Sequence, residues 1–305
     1  MDHKSLLAGL SAEQCRELTA TSDLRGLMQL ALHFGAIAVT MTLIIMQVPF
    51  WPLLMLPQGI LLVFLFTLLH EASHQTPFRS RWLNTAAAHI SGFVILLPPR
   101  WFRYFHFAHH RFTQVPGKDP ELATPKPEGW RQYLLHVSGI PVWISHARTL
   151  INNAAGRCDD DFVPAGKRGV VRSEARMMLA AYAVLLLGSL ALGSTVFVHV
   201  WLVPVVLGQP FLRLYLLAEH GRCAYVANML ENTRTTLTNA LVRRLAWNMP
   251  YHAEHHSYPA VPFHRLPDLH RLAAPHLLVT EPGYTHFHAR YAPQLSCADP
   301  DDPAE

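Results

Sequence analysis

Apolar positions in this chain gather into long runs instead of alternating, and the runs come in pairs joined by short turns. Leu27 to Gln47 is a mostly apolar run of 21 residues. At about 1.5 Å per residue it is long enough to cross a hydrocarbon layer. Val48-Pro49-Phe50-Trp51-Pro52 follows as an aromatic, uncharged turn suited to a membrane interface. A second run, Leu53 to Leu69, returns and ends at His70. Met177 to Phe197 is the clearest span, and its return covers Pro204 to Ala218, interrupted by Pro210 and holding Arg213. Pro204 suits the first turn of a helix, where its missing N–H costs nothing. An arginine so near a helix end is expected to snorkel to the headgroups. This return is short for a full crossing.

The segments between and around the runs are more polar. Ala86 to Pro99 is too short to span and reads as a re-entrant or interfacial element. Gly129 to Ile151 mixes Trp, Leu, Ile and His with few charges and is expected along the membrane surface. Asn152 to Arg176 reads as a polar loop. Residues 1–26 form an amphipathic lead-in, with no apolar core ahead of a small-residue cleavage site. Residues 27–292 read as a single membrane domain, and 293–305 as an acidic, disordered tail. The expected fold class is all-α: a polytopic membrane protein with four transmembrane helices in two hairpins and a histidine-rich helical cap.

Composition supports the membrane reading. Only 15% of the 305 residues are charged, against about a quarter in soluble domains, and mean hydropathy is +0.15. Charge also orients the chain. Of 25 Lys and Arg, 3 lie in the N-terminal segment, 14 between residues 70 and 176, and 7 from residue 219 onward. Only Arg213 is left, and the short turns hold none. By the positive-inside rule both termini and every histidine motif are expected on the cytoplasmic side. No nucleic-acid partner is expected. Cys15, Cys158, Cys223 and Cys297 are scattered, with no C-x-x-C pair, and suggest neither a disulfide framework nor a thiolate metal site.

The histidines change the picture from a membrane protein to a metal-binding one. His252-Ala-Glu254-His255-His256 places three imidazoles in five residues, spaced H-x-x-H-H. Positions i, i+3 and i+4 share one helix face, so the rings can converge. His106-Phe-Ala-His109-His110 repeats the spacing, and His70-Glu71-Ala-Ser-His74 adds an i, i+4 pair. His220 closes the fourth span. Tetrahedral zinc takes at most four ligands; eight or nine ring nitrogens suit a pair of ions of higher coordination number. Nitrogen-rich sites with open positions suit iron working on oxygen, although spacing alone does not choose the metal. His70-Glu71-Ala-Ser-His74 also matches H-E-x-x-H, in which two His bind Zn and Glu activates water. An intramembrane zinc metalloprotease with Asp268 as third ligand is therefore a rival, but it leaves both H-x-x-H-H motifs without work. A metal transporter is a further rival class. Transporters place ionisable residues near the midplane, whereas these histidines sit at helix ends.

The three motifs, their place after the hairpins and the phrase Asn248-Met-Pro-Tyr-His-Ala-Glu-His-His resemble the membrane fatty acid desaturases, over roughly residues 50–275. That superfamily also holds alkane and fatty-acid hydroxylases and carotenoid ketolases. The resemblance implies two non-haem Fe ions and the use of O2 and two electrons to desaturate a fatty acyl chain. Hydroxylation or ketolation of a lipid such as a carotenoid or alkane is the alternative outcome. The implied iron ligands, and with them the catalytic groups, are His70, His74, His106, His109, His110, His252, His255 and His256. His220 fits the additional histidine that many members supply. Glu71 and Glu254, with Asp119 and Glu219 nearby, are candidates to accept the second N–H of a ligand ring. Asn248 suits either a hydrogen bond to a water at the metal or a helix cap. The remaining histidines, including His89, His136, His264 and His270, lack the spacing and are expected to be ordinary. No nucleotide loop and no haem-attachment motif is present. A separate ferredoxin-like or cytochrome-type electron donor is therefore implied, and the basic face suits an acidic one.

Overall fold

A computed structural model describes residues 1–296, so most of the expected tail, from residue 297, lies outside the described residues. Two short helices, α1 (His3–Ala8) and α2 (Ala12–Leu18), precede the long α3 (Asp23–Ile45). α4 (Trp51–Val63) and α5 (Leu65–His74) follow almost without a break, then α6 (Arg81–Val94) and α7 (Pro99–Phe112). α8 (Trp130–Ser138), α9 (Ile140–Ala154), α10 (Arg168–Ala191) and α11 (Val203–His220) come next. The rest is short: α12 (Met229–Asn232), α13 (Ala240–Leu245), α14 (His252–Ser257), α15 (Leu266–Ala273) and α16 (Tyr284–Tyr291). β1 (Thr235–Thr236) and β2 (Thr280–Glu281) pair in parallel, Thr235 opposite Thr280.

Four helical stretches are long and apolar enough to cross a membrane: Ala12–Ile45, Trp51–His74, Ala165–Ala191 and Val198–His220. They answer to the four expected spans with shifted bounds. The third starts earlier than expected, because Arg168–Arg176 is helix and not loop. Val171, Glu174, Ala175 and Met178 are its buried positions, the i, i+3, i+4, i+7 stripe of a packed helix. The fourth is not too short. A π turn, Val198–Leu202, leads into α11 and brings the stretch to 23 residues. Pro204 sits in the first turn, as expected, but Pro210 does not end the helix. A proline removes one backbone hydrogen bond, and a long apolar helix with packed neighbours tolerates that loss.

The chain folds as two compact units. The first comprises Met1–Thr21, Ala108–Pro141 and the residues from Pro210 onward. Its core joins Tyr133, Leu217, Ala218, Phe287, Tyr291 and Leu295. Ser296 N–H donates to the Glu128 carbonyl at 2.8 Å, so ordered structure reaches the end of the described residues. Buried Arg234 donates to the Ala218 and Gly221 carbonyls and lies over the Phe287 ring. That contact ties the end of α11 to α16.

The second unit comprises Ser22–Phe107 and Val142–Gln209. Its apolar helices are cross-linked by a few polar groups. His33 Nε2 donates to the Leu61 carbonyl at 2.9 Å, Gln58 Nε2 donates to the Val200 carbonyl at 3.1 Å, and the Thr40 hydroxyl donates to Gln58. Gly59 and Gly208 let α4 and α11 touch through their backbones. A Cβ on Gly208 would fall 2.2 Å from the Gly59 carbonyl carbon, which explains small residues at both places. α5 and α6 close over Leu69, Ala72, Ala88, Ile95, Leu97 and Phe102. Val184, Leu186, Leu187 and Leu190 of α10 are left exposed, an apolar surface that suits lipid contact.

Candidate metal centre

In the first unit, three helix ends carry imidazoles toward one point. α7 supplies His109 and His110, α11 ends on His220, and α14 supplies His252, His255 and His256. Every residue of α14 is buried. It is delivered by a tight turn in which Trp247 and Asn248 both adopt left-handed backbone (φ 51° and 57°). Asparagine tolerates that conformation better than most residues. The Asn248 side chain donates to the Phe263 carbonyl at 2.9 Å, and Thr236 N–H donates to the Pro250 carbonyl at 2.9 Å. Asn248 therefore braces the turn that feeds the third motif.

The ring nitrogens face one another. His109 Nε2 lies 3.3 Å from His220 Nε2, which lies 3.1 Å from His252 Nε2. One nitrogen from each of His109, His220 and His256 falls within a mutual 4.8 Å. Two nitrogens on a common ion at about 2.1 Å, with bond angles near a right angle, stand about 3.0–3.3 Å apart. The spacing fits a metal ion. The opposite nitrogens are held from behind. His109 Nδ1 donates to Asp119 Oδ1 at 2.9 Å, and His220 Nδ1 lies 3.3 Å from the Asn232 carbonyl. His256 Nδ1 lies 3.1 Å from the Thr113 hydroxyl, and His252 Nδ1 lies 3.5 Å from Glu219 Oε1. His256 Nε2 is buried and has no hydrogen-bond partner. A ring tied at one nitrogen and open at the other is the usual posture of a metal ligand. His110 and His255 stand beside this group, ring centroids 4.9 Å apart.

Electrostatics agree. Burial, then neighbouring His110 and His252, push His256 well below its ordinary value and keep it free of a proton, as a ligand must be. His109 is raised: burial opposes this, but the Glu121 charge and the Asp119 hydrogen bond outweigh it. Glu121 falls well below its ordinary value although burial opposes, because Lys126 and His109 favour its charge. The surroundings that favour a proton on His109 favour any positive charge there, including a metal cation.

In the second unit, His70 and His74 lie on one face of α5 and meet His106 of α7. His74 Nε2 is 2.7 Å from His106 Nε2, and the His70 and His106 rings are 4.1 Å apart at their centroids. Aromatic rings surround them: Phe102 stacks on His106 (5.4 Å, 10°), Phe66 borders His70 and Phe107 borders His74.

Carboxylates singled out from sequence take varied places. Glu71 Oε2 accepts from the Thr76 hydroxyl at 2.9 Å. Glu254, fully buried, accepts from the Thr235 hydroxyl at 2.5 Å and from His270. His270, lacking motif spacing, thus still serves the third motif by way of Glu254. Asp268 is engaged with Arg265 (3.0 Å) and Arg271 (2.6 Å). The anchors Thr113 and Asn232 escaped sequence reasoning. Thr113, four residues after His109 on α7, carried a legible signal through its helical spacing; Asn232 acts through its carbonyl and carried none.

Helices able to cross a membrane, joined to clusters of histidine able to hold metal, support a membrane protein with a metal site. The sequence profile described as fatty acid desaturase matches residues 46–288. The chain belongs to the fatty acid desaturase family, and is thereby an oxidoreductase of the desaturase and hydroxylase type. It is 26% identical over 288 residues to dihydrorhizobitoxine desaturase of Bradyrhizobium elkanii, covering 88% of this chain and 79% of that protein. A shorter stretch of 64 residues is 36% identical to the sn-1 acyl-lipid omega-3 desaturase (ferredoxin) of Nostoc sp. (strain 36). That match takes in 21% of this chain and only 18% of the relative.

Proposed function

We propose that this protein is a multi-pass membrane enzyme that uses O2 and two electrons to place a double bond in a fatty acyl chain, with an iron pair held by its histidines. The observation that carries the reading is the convergence of His109, His220, His252 and His256, with the second nitrogen of His109, His220 and His256 held by a hydrogen bond and that of His252 facing Glu219 at 3.5 Å. Family membership supports a second iron with ligands among His70, His74, His106, His110 and His255. The excess of Lys and Arg supports a cytoplasmic location for the termini and the histidines. The HEASH motif then serves as one of three histidine motifs, not as a protease site, and Asp268 is committed to two arginines.

When bound, reduced iron supplies the means to activate O2 for removal of hydrogen from an unactivated methylene. Asp119, Thr113, Glu219 and the Asn232 carbonyl fix the tautomer and aim of the ligand rings. Burial of all of α14 keeps its ring nitrogens from bulk water. In balance, the substrate gives up two hydrogens, and these with O2, two electrons and two protons leave as two waters. The electrons come from a separate protein. The ferredoxin in the name of the omega-3 desaturase relative supports that donor type here.

The test is lipid analysis of cells expressing the chain together with a ferredoxin system. New double bonds in membrane acyl chains are expected. Oxidised carotenoid or hydroxylated product with unchanged acyl unsaturation would overturn the assignment.

A further inference from the structure

The last turns of α9 and the loop that follows form a polar cavity of about 270 Å³, away from the histidines. Thr149, Asn152 and Asn153 of α9 line it, together with Arg157, Asp159 and Asp160 of the loop. All six belong to the second unit. One of them has a polar group that nothing in the wall answers. Asn153 is 1% exposed, and its amide nitrogen is buried without a hydrogen-bond partner. A buried N–H left so is costly unless a ligand supplies the acceptor.

Both signs of charge stand in the same cavity. The exposed guanidinium of Arg157 adds a cation to the Asn153 donor. Asp160 accepts from Trp101 Nε1 at 2.8 Å through Oδ2, which fixes its carboxylate and leaves the other oxygen for a ligand. Asp159 meets Arg168 only in an exposed contact of 3.4 Å, which is weak. Two carboxylates disfavour a simple anion. An amide N–H beside a guanidinium disfavours a bare metal cation, which asks for oxygens all round. The set suits a small ligand that carries both charges itself.

The depth of the cavity says which ligand. Arg176 is the last charged residue of α10 before an uncharged, mostly apolar run that ends at Ala191. Its Nε donates to the Ala154 carbonyl at 2.8 Å, and Ala154 is next in the chain to Asn153. The cavity is therefore level with the point where charge gives way to apolar surface on the third candidate span, Ala165–Ala191. Lipid headgroups lie at that level. Ile144 and Ile151 leave α9 with exposed apolar side chains, as suits a helix at the membrane surface.

We propose that this cavity holds the headgroup of phosphatidylethanolamine. The phosphate accepts from the Asn153 amide and Arg157, for which guanidinium is well matched, and the primary ammonium donates to Asp159 and Asp160. The proposal rests on the chain lying in a bilayer and not on the oxidation chemistry. The full chain, purified in mild detergent, is to be loaded with phosphatidylethanolamine, phosphatidylcholine or phosphatidylglycerol of matched acyl chains, and the retained lipid counted by native mass spectrometry. Phosphatidylcholine has the phosphate but no N–H to donate, and phosphatidylglycerol has the phosphate but no cation. The wild type should retain phosphatidylethanolamine about threefold or more over each of the others. Asp159→Asn combined with Asp160→Asn should bring it level with phosphatidylcholine, and Arg157→Met should lower its retention about threefold. Iron content should be unchanged in all variants, so this proposal and the iron reading fail separately. Equal retention of the three lipids by the wild type overturns the proposal, as does a preference for phosphatidylglycerol or an undiminished preference in the double aspartate variant. Soluble phosphoethanolamine should be retained far less than the lipid; equal retention would mark a site for a soluble ligand and overturns the proposal too. Should the double variant not fold, Arg157→Met, at an exposed side chain, carries the test, and unchanged retention there overturns the proposal.

Discussion

The two histidine sets are seated by different means. In the first unit, His109, His220, His252 and His256 each have a polar group behind the ring: Asp119, the Asn232 carbonyl, Glu219 and Thr113. In the second, His70, His74 and His106 stand among Phe66, Phe102 and Phe107. A hydrogen bond to the back nitrogen decides which nitrogen faces the metal and how basic it is. A stacked ring adds packing to whatever polar contacts an imidazole makes, so its removal is felt first in stability. Changes behind the first set should therefore appear in metal affinity, and changes around the second chiefly in stability.

The largest effect is expected from the ligands themselves. His256→Ala should abolish turnover and sharply reduce bound iron, with membrane insertion intact, as metal analysis and a membrane-fraction assay would report. Iron at the wild-type level would remove His256 from the site. Next comes Asp119→Asn, which keeps the side chain's size but ends its role as a charged acceptor for His109. A loss of about 10–100-fold in metal affinity or activity is expected, with Thr113→Val smaller because its partner is a neutral hydroxyl. If neither variant changes metal retention, the contrast between the two sets is void.

Smaller effects sharpen the other half of the contrast. Phe102→Leu removes the ring stacked on His106 and should cost about 1 kcal/mol in unfolding, with iron content unchanged. Loss of iron instead would show that packing also tunes the ligand. The smallest effect concerns His89, outside both sets. Its hydrogen bond to Glu174 holds its pKa above the ordinary 6.5, although burial opposes. The protonated ring thus stabilises the fold fully below 6.5, and the contribution fades as pH rises through the raised folded value. His89→Gln should lower the thermal midpoint at about pH 5.5 and leave it unchanged at about pH 9. An equal shift at both would show that the pair acts by packing alone.

The same contrast explains what could be read in the sequence. The spans were legible because long apolar runs admit few alternatives in water or lipid, and the motifs because i, i+3, i+4 spacing survives any tertiary arrangement. The start of α10 was hidden because a glutamate, Glu174, occupies one of its buried positions. It is kept there by Arg100 N–H at 2.8 Å and His89 at 3.0 Å, partners that lie some 75–85 residues away in the chain. The length of the fourth stretch was hidden because Pro204 reads as a helix start, whereas the mostly apolar residues Val198–Leu202 before it are already wound as a π turn. Asp119 was legible only as an acid near a motif. That it, and not Glu254, meets a motif histidine depends on the loop after α7, where Gln114 N–H and Glu121 N–H grip the same carboxylate at 2.9 Å. Adjacency in sequence favoured Glu254, and its oxygens instead meet Thr235 and His270.

The central claim is that the histidines hold a pair of irons. Elemental analysis of the full chain, purified from iron-replete cells and counted against protein by amino-acid analysis, tests it most directly. About two irons per chain are expected, falling in both His256→Ala and His74→Ala. A single zinc per chain, or no bound transition metal, would contradict it.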